Sequence, residues 1–205
     1  TMKKYLLSIL CGILLLPGCN YLDMVPEKDI ETVESLFEQR TKVELWWKGL
    51  YAELNNIFAD FRVNTAYLGA DEFVTCQALH SSTLYNLDGL KIADGLQMSQ
   101  NPYGSIWYRM YVVIRNCNIF LENVDHTYNM SEEDRNWWKA DVKAVKAYVY
   151  FELVRRYGPI CLVPQNVPVD LPVKDYQLPR QHVDTCFKEI INLLEESMEY
   201  VPKHS

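Results

Sequence analysis

The residues best suited to chemistry lie between positions 64 and 107. This stretch offers Tyr67, Tyr85, Tyr103 and Trp107 as flat apolar faces. Asp71, Glu72, His80, Asn86, Asp88 and Asn101 stand among them as hydrogen-bonding groups. Binding a sugar ring needs both kinds of group in a preformed concavity: an aromatic plane for the ring's apolar side, and amides or carboxylates for its hydroxyls. The same residues read one at a time are first-turn core (Tyr103, Trp107) or a solvated loop. The stretch as a whole leans towards ligand contact, with Asp71, Glu72, Tyr85, Asn101, Tyr103 and Trp107 as candidate ligand-binding residues. Catalysis has little support. The four histidines (80, 126, 182 and 204) show no metal-ligand spacing with Cys or with one another. Phosphate-binding, dinucleotide and serine-elbow motifs are absent, and no carboxylate pair stands out. The expectation is a non-enzyme with no catalytic residue, no metal and no cofactor.

A second chemical group is the thiol of Cys19. Lys3 and Lys4 precede a twelve-residue apolar run, Tyr5 to Leu16, and then Pro17-Gly18-Cys19. The run is too short to span a bilayer, which takes about 20 residues, and reads as a secretory leader over residues 1–18. Leu16-Pro17-Gly18-Cys19 resembles a bacterial lipobox, with Pro17 where Ala, Ser or Thr is usual. Cys19 is then the lipidation residue, and acyl chains hold the body on a membrane by burial of their methylenes. Without the leader's two lysines the formal charge moves from −7 to −9, which argues against nucleic acid and against electrostatic attachment to anionic lipid. Residues 19–30 read as a tether. Export permits disulfides among Cys76, Cys117, Cys161 and Cys186, but small buried apolar residues are the simpler reading.

The elements that must position these groups are helices. Glu31 to Glu38 carries weak helical signals. Thr41 and Glu44 form a capping box ahead of Val43, Trp46, Trp47, Leu50, Leu54, Ile57 and Phe58, which recur at helical spacing. Residues 64–101 have no sustained period and make a loop longer than structureless connections usually are. Asn101-Pro102 marks a helix start, followed by Ile106, Met110, Val113, Ile114, Cys117, Phe120, Leu121 and Val124. The longest helix starts at Ser131 and Asp134 and stops at Gly158-Pro159. It carries two apolar arcs at about 100° per residue. One holds Ala140, Ala144, Ala147, Phe151 and Val154; the other holds Trp138, Val142, Val145, Val149 and Leu153. Lys139, Lys143 and Lys146 lie in one wedge between the arcs, Asp141 and Glu152 in the opposite one. Two arcs require neighbours on both sides, as for an inner helix of a stacked array. Both adjacent tryptophan pairs, 46–47 and 137–138, read as core anchors with one member near an edge. Five of the nine prolines fall in 158–180, which predicts an extended connection with a short strand at Ile160 to Val163. A last helix is predicted from Gln181 to Tyr200, with Val183, Phe187, Ile190, Ile191, Leu194 and Met198 inward.

The run Ala140-x3-Ala144-x2-Ala147-Tyr148-x-Tyr150-Phe151-x-Leu153-x3-Tyr157-Gly158-Pro159, closing on Pro164, resembles the central signature of the SusD/RagB family of Bacteroidetes surface lipoproteins. Cys19-Asn20-Tyr21-Leu22-Asp23 and Gly49-Leu50-Tyr51 are similar to that family's N-terminal elements. The resemblance implies an all-α fold of tetratricopeptide-like helical hairpins with long irregular loops, residues 31–205 being an incomplete N-terminal helical domain, truncated at Ser205. It implies capture of oligosaccharide or another nutrient at the outer membrane and delivery to a SusC-like TonB-dependent transporter. The rival expectation is a tetratricopeptide-like scaffold of the cell envelope that binds proteins only.

Overall fold

The computed structural model describes residues 32–58, 95, 99, 106–167, 171–172 and 177–200. The chain divides into two compact units, Thr1–Leu36 and Phe37–Ser205. In the first unit, the Thr32 side chain caps a short helix, α1 (Val33–Phe37), by accepting the Ser35 N–H at 3.3 Å. Phe37, the last residue of α1, opens the second unit.

That unit holds α2 (Arg40–Phe58), α3 (Ile106–Asn123), a 3-10 turn (Val124–His126), α4 (Glu132–Tyr157) and α5 (Val183–Met198). Among the described residues there is no strand, so the fold is all-α. Cross-helix contacts give the directions. Phe37 meets Phe120, and Trp46 donates to the Asn116 carbonyl, which sets α2 antiparallel to α3. Trp107 meets Tyr157 and Asn118 meets Lys146, so α3 and α4 are antiparallel. Arg40 pairs with Asp134, and Trp47 donates to Asp141, so α2 and α4 run parallel. Lys143, mid-way along α4, pairs with Glu196 near the end of α5 at 2.7 Å, and Ile160 just beyond α4 bridges Gln181 just before α5, so α4 and α5 are antiparallel.

The ends of α4 follow the local code. Ser131 Oγ accepts the Asp134 N–H at 3.1 Å, and Gly158 stops the helix at φ 69°, a backbone region that favours glycine. The Asp134 carboxylate pairs with Arg40 at 2.7 Å. The start of α2 departs from expectation. Thr41 lies inside the helix, Glu44 pairs with Lys48 at 2.6 Å, and the Arg40 N–H is satisfied by Asn129 Oδ1 at 2.8 Å from the α3–α4 connection. The orphan donors of a helix start take any acceptor within reach, and here tertiary structure supplies a nearer one.

Both arcs of α4 are used. Trp138, Val142, Val145, Val149 and Leu153 are buried, and so are Ala140, Ala147 and Val154, with Ala144 half-buried. Phe151 is 39 % exposed, contrary to its place in the alanine arc. Lys146 and Glu152 are buried at 2 % and 4 % exposure, so the wedges between the arcs are closed there as well. Glu152 is held by Arg155 at 2.6 Å and by Arg156.

Among the described residues, the connection after α4 is extended but forms no strand, the predicted one at Ile160 to Val163 included. An isolated antiparallel bridge joins Ile160 to Gln181, closed by Gln181 N–H to Ile160 C=O at 2.8 Å. Helix side chains bond several of the connection's other backbone groups. Tyr111 Oη donates to the Cys161 carbonyl at 2.8 Å and accepts the Cys161 N–H at 3.0 Å. Tyr150 Oη donates to the Val163 carbonyl at 3.1 Å and accepts the Val163 N–H at 2.8 Å. Asn118 donates to the Val163 carbonyl, Lys146 to the Pro164 carbonyl, and Glu122 accepts from the backbone and side chain of Asn166.

The last helix starts two residues later than predicted, with His182 as its N-cap, and it is rotated. Its buried residues are Cys186, Ile190, Leu193 and Ser197, while Phe187, Ile191, Leu194 and Met198 are exposed. The buried face lies about 80° from the expected one, with Ile190 common to both. The bridge at Gln181 fixes how α5 enters, and the Cys186 thiol sits against the buried Ile160 carbonyl at 3.9 Å; the rotational setting follows from that start.

Tyr150→Phe removes the partner of the Val163 N–H while Asn118 keeps the carbonyl. The expected cost is about 1–3 kcal/mol, that of an orphaned buried donor, read as a lower urea midpoint at unchanged slope. Burial raises the Tyr150 hydroxyl above its ordinary 10.0. Its contribution is therefore complete below pH 10 and is lost as pH climbs beyond 10, where the unfolded tyrosine ionises first. The stability–pH curve of the Phe variant should fall less steeply above pH 10.

Candidate functional site

Of the candidate ligand-binding residues, Trp107 alone falls among the described ones. Asp71, Glu72, Tyr85, Asn101 and Tyr103 lie outside them, as do Cys19, Cys76 and the Asn101-Pro102 helix start. Cys117, Cys161 and Cys186 are free thiols, the first and last buried. Burial pushes the Cys117 thiol up to about 12, which makes it an inert core residue.

Trp107 sits in the first described turn of α3, half-buried. Ile106 and Met110 of the same turn point into the core with 1 % and 0 % exposure, which turns Trp107 towards the seam between α3 and the end of α4. Tyr111 lies 4.9 Å away, ring to ring, one turn on. Tyr157 meets Trp107 edge-on at 5.0 Å. The Arg180 guanidinium stands 4.7 Å from the indole centroid and donates to the Pro159 carbonyl at 3.2 Å. Tyr108, beside it, is 71 % exposed. The Tyr111 hydroxyl titrates above its usual range, chiefly because it is buried and secondarily because of Cys161; its backbone hydrogen bond and Arg180 pull the other way.

This arrangement presents donors and flat faces. A guanidinium, which carries five N–H donors, beside an indole and two phenols can stack on an apolar ring face and donate to hydroxyls or carboxylates. Among the described residues, no three or more His, Cys, Asp or Glu are grouped to hold a metal ion. The reading of Trp107 as pure core and the reading of it as a bare platform are both incomplete, since one face carries Arg180. Arg180 escaped sequence analysis because it lies in an irregular proline-rich segment where no periodicity reports on position. Tyr111 and Tyr157 were visible only as members of helices.

The tryptophan pairs form a separate cluster. Trp138 is buried and Trp137 half-buried; Trp46 and Trp47 are both half-buried. Trp47 stacks on Trp138 at 5.2 Å, meets Trp137 at 5.7 Å, and donates to Asp141 at 2.6 Å, with Tyr51 donating to the same carboxylate at 2.5 Å. Asp141 thus anchors α2 to α4.

Comparison with known proteins places this all-helical, aromatic-rich architecture in one class. Residues 20–205 match the SusD-like_3 family model, described as starch-binding associating with outer membrane. The chain belongs to the SusD-like family. It is 25 % identical over 160 residues to SusD-like protein P25 of Formosa agariphila, a match covering 74 % of this chain and 30 % of that protein. The crystal structure of a SusD-like protein from Bacteroides fragilis superposes with a TM-score of 0.67 at 20 % identity, covering 84 % of this chain and 31 % of that one. A laminarin-binding SusD-like protein does so with a TM-score of 0.66 at 17 % identity, covering 80 % of this chain and 35 % of that one. The chain spans about a third of the length of these relatives. Among the described residues, no helix is long and apolar enough to cross a membrane.

Removing either partner of the Trp107–Arg180 stack separates its two contributions. Arg180→Ala should cost about 0.5–1 kcal/mol, an exposed cation–π contact. Trp107→Ala should cost about 2–3 kcal/mol, less than a full core tryptophan because the ring is half-buried. Urea unfolding of both variants checks this order.

Proposed function

We propose that the chain is part of a surface lipoprotein that binds glycan and passes it to a SusC-like TonB-dependent transporter. The observation that carries this reading is the family match over residues 20–205, with its starch-binding and outer-membrane description. The likeness to a laminarin-binding protein of the same family supports a polysaccharide or oligosaccharide ligand. The Trp107–Arg180–Tyr111–Tyr157 group supplies a stacking plane with hydrogen-bond donors. It is the described part of a site that Asp71, Glu72, Tyr85, Asn101 and Tyr103 would complete. The chemistry is binding: no bond is broken and no cofactor is needed. Cys19 carries the lipid, and residues 19–30 hold the body clear of the membrane.

Native electrophoresis through gels containing laminarin, starch or other polysaccharides tests the reading. Retarded migration in at least one gel is expected, with no release of reducing ends on prolonged incubation and weaker retardation for Trp107→Ala. Unretarded migration in every gel would contradict glycan capture; new reducing ends would contradict a binding role. Cys19→Ser should abolish labelling by a radioactive fatty acid in the producing cell.

A further inference from the structure

Trp107 is braced by three groups that are themselves held. Tyr157 meets its indole edge-on at 5.0 Å with the planes 86° apart, and Tyr111 lies 4.9 Å away at 46°. The Arg180 guanidinium stands 4.7 Å from the ring centroid. Each brace is anchored at the exit from α4. Tyr157 is the last residue of that helix, and the Tyr111 hydroxyl is tied to both backbone groups of Cys161. Arg180 donates to the Pro159 carbonyl at 3.2 Å, and its neighbour Gln181 bridges Ile160. Of the three, Arg180 alone lies outside α3 and α4.

We propose that Arg180 is a positioning residue for glycan binding, holding the indole plane of Trp107 in one orientation before a ligand arrives; this rests on the glycan-binding reading of Trp107. The outer χ torsion of an aromatic side chain is broad unless its neighbours restrict it. A planar guanidinium restricts it well, because it stacks on the ring face as well as carrying charge. Pinned to Pro159 and set beside the Ile160–Gln181 bridge, Arg180 has a fixed place from which to do so. A ring already fixed has no rotational freedom to lose on binding, which is the cost that preorganisation removes. For one side chain the difference is between about twofold and tenfold in affinity. Arg180 acts through Trp107 and joins the start of α5 to the ligand plane on α3.

The test joins a spectrum of the free protein to a double-mutant cycle on binding, both with the full chain. With fluorotryptophan in place of the five tryptophans, the Trp107 fluorine resonance is the one missing from Trp107→Phe. Arg180→Ala should shift or broaden that resonance; the position is exposed, so the fold is kept and the other resonances stay in place. Arg180→Lys, which keeps the cation, should restore part of the change. In gels containing laminarin or starch, Arg180→Ala should weaken retardation between about twofold and tenfold. It should have no further effect when Trp107 is already alanine. A Trp107 resonance indifferent to Arg180→Ala overturns the proposal, and so does a changed resonance with no loss of retardation. If Arg180→Ala still weakens retardation in the Trp107→Ala background, the guanidinium meets the ligand itself, which overturns action through the ring. A chain retarded in no gel contradicts glycan capture and this role together; a retarded chain indifferent to Arg180→Ala contradicts this role alone.

Discussion

The extended segment after α4 carries a carbonyl at every residue and an N–H at all but its prolines, and among the described residues it has no sheet to join. Left unpaired and buried, each would cost about 1–3 kcal/mol, and the segment would have to lie in solvent. Two tyrosine hydroxyls prevent this. A phenol both donates and accepts, so Tyr111 and Tyr150 each satisfy one residue completely, Cys161 and Val163, two positions apart. An extended chain has period two, so both of these residues present their backbone groups to the same side. Asn118, Lys146 and Glu122 continue the ladder to Asn166. Helices α3 and α4 thus act as the neighbouring strand, and the position of α5 depends on them, because Ile160 at the head of the segment bridges Gln181 at the start of α5.

Lys146 is the costly member of this ladder. It is buried, its ammonium bonds among the described residues to two neutral oxygens, Asn118 Oδ1 at 2.6 Å and the Pro164 carbonyl at 3.1 Å, and the Tyr150 ring lies 5.8 Å away. Burial depresses its pKa, while the more distant Cys117, Glu189 and Glu122 hold it up. An ion pair would offset desolvation more strongly than two carbonyls do. What a lysine provides instead is reach. Its four-carbon stem crosses from α4 to Pro164, and its two hydrogen bonds tie α3 and the segment together in one group. Glu152, on the opposite side of α4, is buried too, but it holds two arginines.

Much of this architecture was legible from the chain. Helix ends marked by Ser131 and Gly158 carry local codes that depend on a few adjacent residues. The double arc of α4 reports neighbours on both sides, and both are present. The burial of Lys146 was not legible, because side-chain periodicity says which face is apolar and nothing about which polar groups a passing backbone will need. The Asn129 cap on α2 was not legible for a related reason: an acceptor 89 positions away cannot be read from spacing. Of the candidate site, the sequence supplied Trp107 and missed Arg180, whose approach is set by the return of an irregular segment to the end of α4.

The rotation of α5 shows where pattern reading stops. An arc about 160° wide fixes how much of a helix wants cover, and it leaves open which part a given neighbour takes. On α4 the arcs are separated by charged wedges, so each neighbour has one place to sit. On α5 they merge, and the choice falls to the helix start, where the Ile160–Gln181 bridge and the Cys186 thiol bring the Cys186 edge against α4. The Phe187 edge is then left outward by geometry rather than by composition. The same constraint that satisfies the extended segment therefore decides which apolar surface this unit presents.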